Sequence, residues 1–523
     1  MAIFGRVGDS RVNPCRHLGL FRVPKSMSGY DRVNTIRFVG CGRFPSVGDV
    51  ELDRCPIQTR MHRTAFLRSI NNILTHQTAR RRLTTMATPY NIHIAPENVG
   101  LCRQSEEAAR KASELLQEDL EKHHVFFNED GFHNHIPHHI LALFGTGAPV
   151  SSLQAGYNHN TSYQRPALPM HDTVISDLQS WDHASAYLGK EKHYPDFLRF
   201  FQREIASHGS ESVLTTYLFS GTPAADDMLA RLYAGFLHPL IQLMYGLEWS
   251  QPAIIAEALA QTAVHSATPS LKSFLLEAES LSRTNKPPSP LSITALLSTI
   301  RSSPSLSSAA HFSDGNKIRD GVLARARAEM LDVASRVSIP ASSLAESTAQ
   351  MFHDALYTAS LAALAFFPAK HPKFDFFLIH HVNAAPVFAT INKLDWIPEE
   401  TKVRMLEWKV RMDLLQYAAR GAPELKGGVL EGYVPKAGKG EEVVSRLYDF
   451  EDDGHAVKLA RAALVCRELC EWYEDREWMV IKGEELWGRV FGLIVDSVEA
   501  PGPNWVRGCG FEEAWKVSAC LFR

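Results

Sequence analysis

Histidine is the residue whose distribution in this chain could do chemistry. It occurs 23 times in 523 residues, and several copies are bunched. The densest bunch is His133-Asn134-His135-Ile136-Pro137-His138-His139. Imidazole is the commonest protein ligand of transition metals. Pro137 suits the first turn of a helix and Asn134 its cap. His135 and His139, four apart, would then share a face, with His138 on the neighbouring one. Capping and ordinary buried hydrogen bonds are the competing account. The pattern is not HExxH, so a zinc-peptidase reading gains nothing from it.

Three further stretches carry candidate ligands. In His238-Pro239-Leu240-Ile241-Gln242, His238 and Gln242 can point the same way among apolar neighbours, and a histidine so placed needs a partner. Glu248 either orients a histidine or supplies a ligand, unless it is a surface carboxylate. Glu257, Gln261 and His265 follow on one face of the next helix and would form a supporting hydrogen-bond network if that face looks inward. In Phe376 to Val382 five of seven residues are bulky and apolar. That helix should be buried, with His380 and Asn383 projecting together. His353 lies upstream, with Tyr357 one turn later. Lys409 is the odd member, because an ammonium has no lone pair and ligates only when neutral or carbamylated. Read from the residues alone, it is a partner for Asp413, four residues on.

These side chains need elements to position them, and the periodicity predicts helix after helix. Helices are expected over 106–123, from Pro137 through Leu143, and over 152–159, 194–205, 226–245, 254–264 and 271–281. Beyond a Ser/Pro-dense stretch with one short helix at 293–300, they resume over 322–337, 343–366, 374–391, 399–419, 442–470 and 484–498. The expected fold is mainly α, a large multi-helix domain with a metal site between buried helices. Four segments are expected: a basic, poorly ordered or transit-like extension over 1–85, a helical half with the histidine cluster over 86–281, a linker or loop over 282–316, and a second helical half completing the site over 317–523. No GxGxxG follows a strand, so a self-contained dinucleotide site is not expected. There is no GxSxG elbow for a hydrolase.

Composition narrows the classes further. The formal net charge is -3, so no basic field points to nucleic acid. No apolar run is long enough to span a bilayer. Eight cysteines without a CxxC pair favour an intracellular, cytoplasmic reading. The Arg-rich, acid-poor stretch 60–85 also has mitochondrial transit character.

Phe127 to Leu143, FNEDGFHNHIPHHILAL, resembles the signature block of the questin oxidase-like family of fungal polyketide pathways. Other blocks match in order: Tyr187-Leu188-Gly189, Tyr194-Pro195-Asp196-Phe197, His238-Pro239-Leu240-Ile241, Asp375 through His380 and Lys409 through Tyr417. The resemblance implies oxidative cleavage of an anthraquinone ring in secondary metabolism, as in questin going to a benzophenone carboxylic acid. It implies a non-haem Fe(II) held by several histidines and a carboxylated lysine, with O2 as co-substrate and NADPH in some descriptions. On that basis His139, His238, His353 and His380 are the expected ligands, and Lys409 becomes the expected modified lysine. His135, His138, Glu248 and Asn383 are expected to assist catalysis. A flat polycyclic substrate wants an aromatic-lined pocket, for which Tyr157, Phe376 and Trp408 are available, with Asn160 and Gln164 to meet quinone oxygens. The main alternative is an NADPH-dependent Baeyer–Villiger-type oxidase, with or without flavin. A helical scaffold without catalysis is the bland one. The expected partner is the small aromatic substrate, and a homodimer is left open.

Overall fold

The computed structural model describes residues 86–97, 101–266, 269–285 and 292–516. The basic extension over 1–85 lies outside them. Residues Leu83–Arg523 form one compact unit. Among the described residues it is built of helices and has no β-strand, only isolated bridges. The mainly α expectation holds. No helix here is long and apolar enough to cross a membrane.

The helices that position the site are α1 (Glu106–Lys122), α2 (Ile136–Gly145), α3 (Tyr194–His208), α4 (His238–Glu248), α5 (Pro252–Val264), α6 (Leu344–Ala363), α7 (Phe376–Ala384), α8 (Glu399–Ala419), α9 (His455–Cys470) and α10 (Gly483–Glu499). Helix α1 is amphipathic and starts on Ser105, whose side chain accepts from the Ala108 N–H. Helix α2 is different: every one of its 10 residues is buried. It packs against α1, α4 and α9. Helix α5 is likewise buried from Ala253 to Val264 and lies between α3 and α4. Apolar all round, these are the central helices, and the others cover them. The Ser/Pro-rich region contains the helix Ile293–Ser302, which rests on α8.

Helix positions followed the periodicity closely where one helix stood alone, as in α8, found at Glu399–Ala419. Three expected helices are each broken in two. Residues 226–245 split into Pro223–Leu232 and α4, because Phe236 and Leu237 take left-handed φ of 55° and 66° ahead of Pro239. Residues 374–391 split at Ala385, before Pro386. Residues 442–470 split into a short 3₁₀ helix, Glu441–Leu447, and α9, with Asp452-Asp453-Gly454 between. Gly454 has φ 84°, and its missing Cβ would fall 2.6 Å from His139 Cβ. No residue with a side chain fits that contact.

Candidate functional site

Two of those breaks, one helix cap and one helix interior bring four imidazoles together. His135 is the N-cap of α2, His238 the first residue of α4, and His455 the first residue of α9. His380 lies within α7, whose N-cap Asp375 accepts the N–H groups of Phe377 and Leu378. The four rings form a closed circuit. Centroids are 4.9 Å apart for His135–His238, 4.7 Å for His238–His380, 4.9 Å for His380–His455 and 4.6 Å for His455–His135.

Each ring is held by its Nδ1–H. His135 donates to Asp453 Oδ2 at 2.8 Å, His238 to the Gly235 carbonyl at 2.7 Å, and His380 to the Phe376 carbonyl at 2.5 Å. His455 donates to the other oxygen of Asp453. With the proton on Nδ1, every Nε2 carries a lone pair. Those lone pairs converge: Nε2 of His135 and His238 are 2.8 Å apart, and Nε2 of His455 and His380 3.1 Å. Ligand atoms of His135, His238 and His455 all lie within 4.8 Å of one another. Facing lone pairs repel unless a proton or a cation lies between them. Burial argues against the proton. It holds His135 down at about 3, His455 below its ordinary value and His238 and His380 well below theirs, assisted in every case by the positive charge of Lys458. Neutral, pre-oriented imidazoles around a common point are what a transition metal binds, and oxygen acceptors on the outer nitrogens are how such ligands are fixed.

Two more groups complete the surroundings. Lys458 is 3 % exposed and one turn beyond His455 on α9. No hydrogen bond or ion pair engages its ammonium among the described residues. Burial lowers it to about 8, against the pull of Asp453 and Asp452. Burial works against the Asp453 charge, yet His455 and His135 outweigh it and hold its carboxyl well below the usual range. Asp452 is pushed up to about 7 by burial and by Asp453, and it accepts the N–H groups of Gly454 and Ala456 at the start of α9. His133 stacks on His238 with centroids 3.9 Å apart, and its Nε2 meets Nε2 of His265 at 2.6 Å.

The cluster opens on a cavity of about 770 Å³ lined by His133, His135, His238 and the rings of Phe236, Phe376 and Phe377, among others. Phe236 meets Phe377 edge to face, with centroids 4.7 Å apart. Leu237, in its strained conformation, aims His238 inward while Phe236 lines the cavity.

The expected residues divide. His238 and His380 are in the circuit, and His135, expected to assist, is a full member. His455, Lys458 and Asp453 were not anticipated, although H-x-x-K at the start of an apolar helix was a visible signal. His139 faces away: its Nδ1 receives a hydrogen bond from Asn160 at 3.0 Å, and its ring lies against Gly156 and Gly454. His353 is a correction. Both its nitrogens are committed, Nδ1 to Asp354 at 2.9 Å and Nε2 to the N–H groups of Val480 and Ile481, so no lone pair remains. Lys409 is a second correction. It is buried against Asp413, with contacts of 2.5 and 2.7 Å, and Asp413 also takes the Nδ1–H of His381. That is the ordinary pairing its spacing suggested.

His138 bonds Gln242 Oε1 at 2.6 Å, and Gln242 donates to Glu257, a buried relay behind the cluster. Glu248 pairs with buried Arg461, away from the circuit. Asn383 is buried on α7, with no partner for either side-chain atom. Of the expected substrate contacts only Phe376 lines the cavity. Asn160 is spent on His139, the Gly156 carbonyl and Tyr163, and Gln164 donates to the Asn160 carbonyl. Tyr157 is packed beside His123, and Trp408 donates to Glu279 in the core.

Comparison with known proteins identifies relatives of this chain. The family model described as questin oxidase-like matches residues 132–463, a span that holds the four imidazoles and Lys458. Oxidoreductase AflY of Aspergillus parasiticus is 37% identical over 80% of this chain and 86% of its own. Baeyer-Villiger oxidase ptaJ of Pestalotiopsis fici is 34% identical over 82% of this chain and 98% of its own. Questin oxidase of Aspergillus fumigatus is 34% identical, with 82% and 99% covered.

Proposed function

The chain belongs to the questin oxidase-like family and is an oxidoreductase, and from that premise we propose that it is a non-haem iron oxygenase that opens a ring of an anthraquinone-type polyketide. The observation that carries the proposal is the convergence of four Nε2 lone pairs whose Nδ1 protons are tied to oxygens. His135, His238, His380 and His455 would hold Fe(II), which supplies the O2 activation that side chains alone do poorly. Lys458, in place of Lys409, is the lysine suited to carboxylation. Its lowered pKa makes the neutral amine accessible near neutral pH, and the added carboxylate would offset the charge of a metal ringed by neutral histidines.

The remaining residues bind and position. Phe236, Phe376 and Phe377 offer faces and edges to a flat polycycle. The His133–His265 pair, neutral because burial holds both rings low, can accept a hydrogen bond from a phenolic hydroxyl at the cavity wall. The enclosing helices keep water from the reacting centre.

A second reading rests on the Baeyer-Villiger names of relatives such as ptaJ. There one oxygen atom enters beside a carbonyl as an ester, the other leaves as water, and NADPH supplies two electrons. In the ring-opening dioxygenase reading both oxygen atoms enter the product, and the two electrons that a quinone lacks arrive with the substrate, which reacts as its hydroquinone. Metal analysis of protein purified without added metal, with turnover of questin and of its hydroquinone followed with and without NADPH, tests both. Expected are one iron per chain, loss of iron in His380→Ala and in Lys458→Ala, and iron retained in Lys409→Met. An active preparation free of iron would end the proposal, and stoichiometric NADPH consumption would move it to the second reading.

A further inference from the structure

One wall of the cavity belongs to α8 and presents Met412, Gln416 and Arg420, four residues apart along one face. Arg420 is the C-cap of α8 and is 4 % exposed. A guanidinium that deep is costly unless hydrogen bonds and an opposite charge compensate it. Among the described residues no hydrogen bond or ion pair engages the guanidinium, and its Nε is buried without an acceptor. It lies over the face of Phe377, 4.1 Å from the centroid. Asp375 acts on it electrostatically, but both oxygens of that carboxylate are taken. Oδ1 accepts from Phe377 and Leu378, and Oδ2 from Gly508 and Cys509. Gln416, one turn before, is 1 % exposed, and its Nε2 also lacks an acceptor.

The other charges lining the cavity do not answer this need. Lys317 donates to the carbonyls of Phe312 and Asp314, Arg319 is paired with Asp320, and Arg507 lies over the Phe376 ring, 4.5 Å from its centroid. Of the two carboxylates, Asp453 is committed to His135 and His455, and Asp130 is in an exposed loop. The backbone of Arg420 is fixed: the Gly510 N–H donates to its carbonyl at 2.9 Å, and Gly421 follows at φ 81°. A rigidly held, desolvated cation beside an orphaned amide donor, both facing a cavity with aromatic walls, is complementary to an aromatic anion.

We infer that Arg420 and Gln416 form an oxyanion anchor, binding the ionised oxygen of a flat aromatic ligand at a wall of the cavity separate from the four imidazoles. The anchor deepens the ring-opening proposal and rests on it for the identity of the ligand, which would be a phenolate before cleavage and a carboxylate after it. It makes Arg420 a positioning residue. It holds one edge of the molecule and so decides which ring reaches the histidine cluster.

The test uses the whole protein as purified and three probes. Anthraquinone-2-carboxylate and anthraquinone-2-carboxamide differ only in charge. 2-Hydroxyanthraquinone reports its own ionisation by its visible absorption. Wild type should bind the carboxylate about tenfold to a hundredfold more tightly than the amide, and should red-shift the bound hydroxyanthraquinone to its phenolate band. Arg420→Met should erase both effects. Arg420→Lys should retain part of them, because a point charge lacks the planar fork. Gln416→Leu should narrow the carboxylate preference. A merely structural loosening would weaken carboxylate and amide alike and leave their ratio unchanged. An equal affinity for the two probes in wild type together with no red shift of the hydroxyanthraquinone, or wild-type behaviour of both in Arg420→Met, would overturn the anchor. Should that variant not fold, wild-type ratios in both Arg420→Lys and Gln416→Leu would do so. A red shift without a carboxylate preference identifies the phenolate as the anchored form, and the reverse identifies the carboxylate. Anion preference without turnover of any hydroxyanthraquinone would support the anchor and remove the ring-opening reading. Turnover without anion preference would overturn the anchor alone.

Discussion

Acid should destabilise this protein, and His139→Gln should measurably blunt the effect. Burial and the Lys458 charge hold His139 at about 3, against about 6.5 in an unfolded chain. Because the folded value is the depressed one, the unfolded chain takes up the proton first as pH falls. The ring's contribution is therefore intact above about pH 6.5 and is lost progressively down to about pH 3. By pH 5 the loss from this ring is about 1.5 × 1.36, or ~2 kcal/mol. His135, also at about 3, loses a similar amount. Asp452 works the other way. Held up at about 7, it is relieved by acid, recovering roughly 2–3 kcal/mol between pH 7 and 5. These terms are common to wild type and variant, so the difference between their pH slopes isolates His139. Urea unfolding at pH 7.5 and 5.0 for both proteins gives that difference directly. The wild type should lose ~2 kcal/mol more than His139→Gln over the interval. Equal losses would refute a neutral, buried His139.

Asp453→Asn should lower metal affinity about tenfold to a hundredfold. One carboxylate now accepts Nδ1–H from both His135 and His455, whereas an amide accepts from one and opposes the other. Occupancy under graded chelator checks this, and an unchanged profile would sink it. Gly454→Ala combines a φ of 84° with a Cβ 2.6 Å from His139 Cβ. It should cost more than ~2 kcal/mol in chemical unfolding, and a variant within 0.5 kcal/mol of wild type would contradict that packing. Phe236→Gly removes a left-handed phenylalanine that is 40% exposed. Stability should stay within ~1 kcal/mol of wild type, while KM for a hydroxyanthraquinone rises severalfold and kcat changes little. A fall in kcat alone would count against Phe236 as a binding wall.

The helices were legible because their periodicity is local, and so was the burial of His135, His238 and His380 among them. The breaks were not. Apolar residues continue across Phe236-Leu237, and nothing in the pattern announces a left-handed turn at two bulky residues. His455 and Lys458 went unanticipated because 442–470 reads as one continuous helix, whereas Asp452-Asp453-Gly454 interrupts it and packing buries His455 and Lys458 behind the break. Lys409 was chosen from a matching block, and both it and His353 as the lysine and a histidine that the resemblance calls for. They are buried, but Asp413 and the backbone of Val480 and Ile481 already satisfy them. Burial and an unsatisfied lone pair are different properties, and a sequence carries only the first.

The two rings that share Asp453 are 320 positions apart in the chain, residues 135 and 455. During synthesis α2 leaves the ribosome long before its partners exist. At roughly 5–20 residues per second, His135 waits on the order of 16–64 s for His455. Until then the early histidines lack Asp453, and His135 has no acceptor to fix its tautomer. The four-imidazole circuit can close only after α9 has docked, so the proposed metal site is completed late in the life of the chain. A nascent or truncated chain ending before residue 455 should leave the ribosome with its histidine-rich segment assembled around nothing, a species for proteases and chaperones to clear.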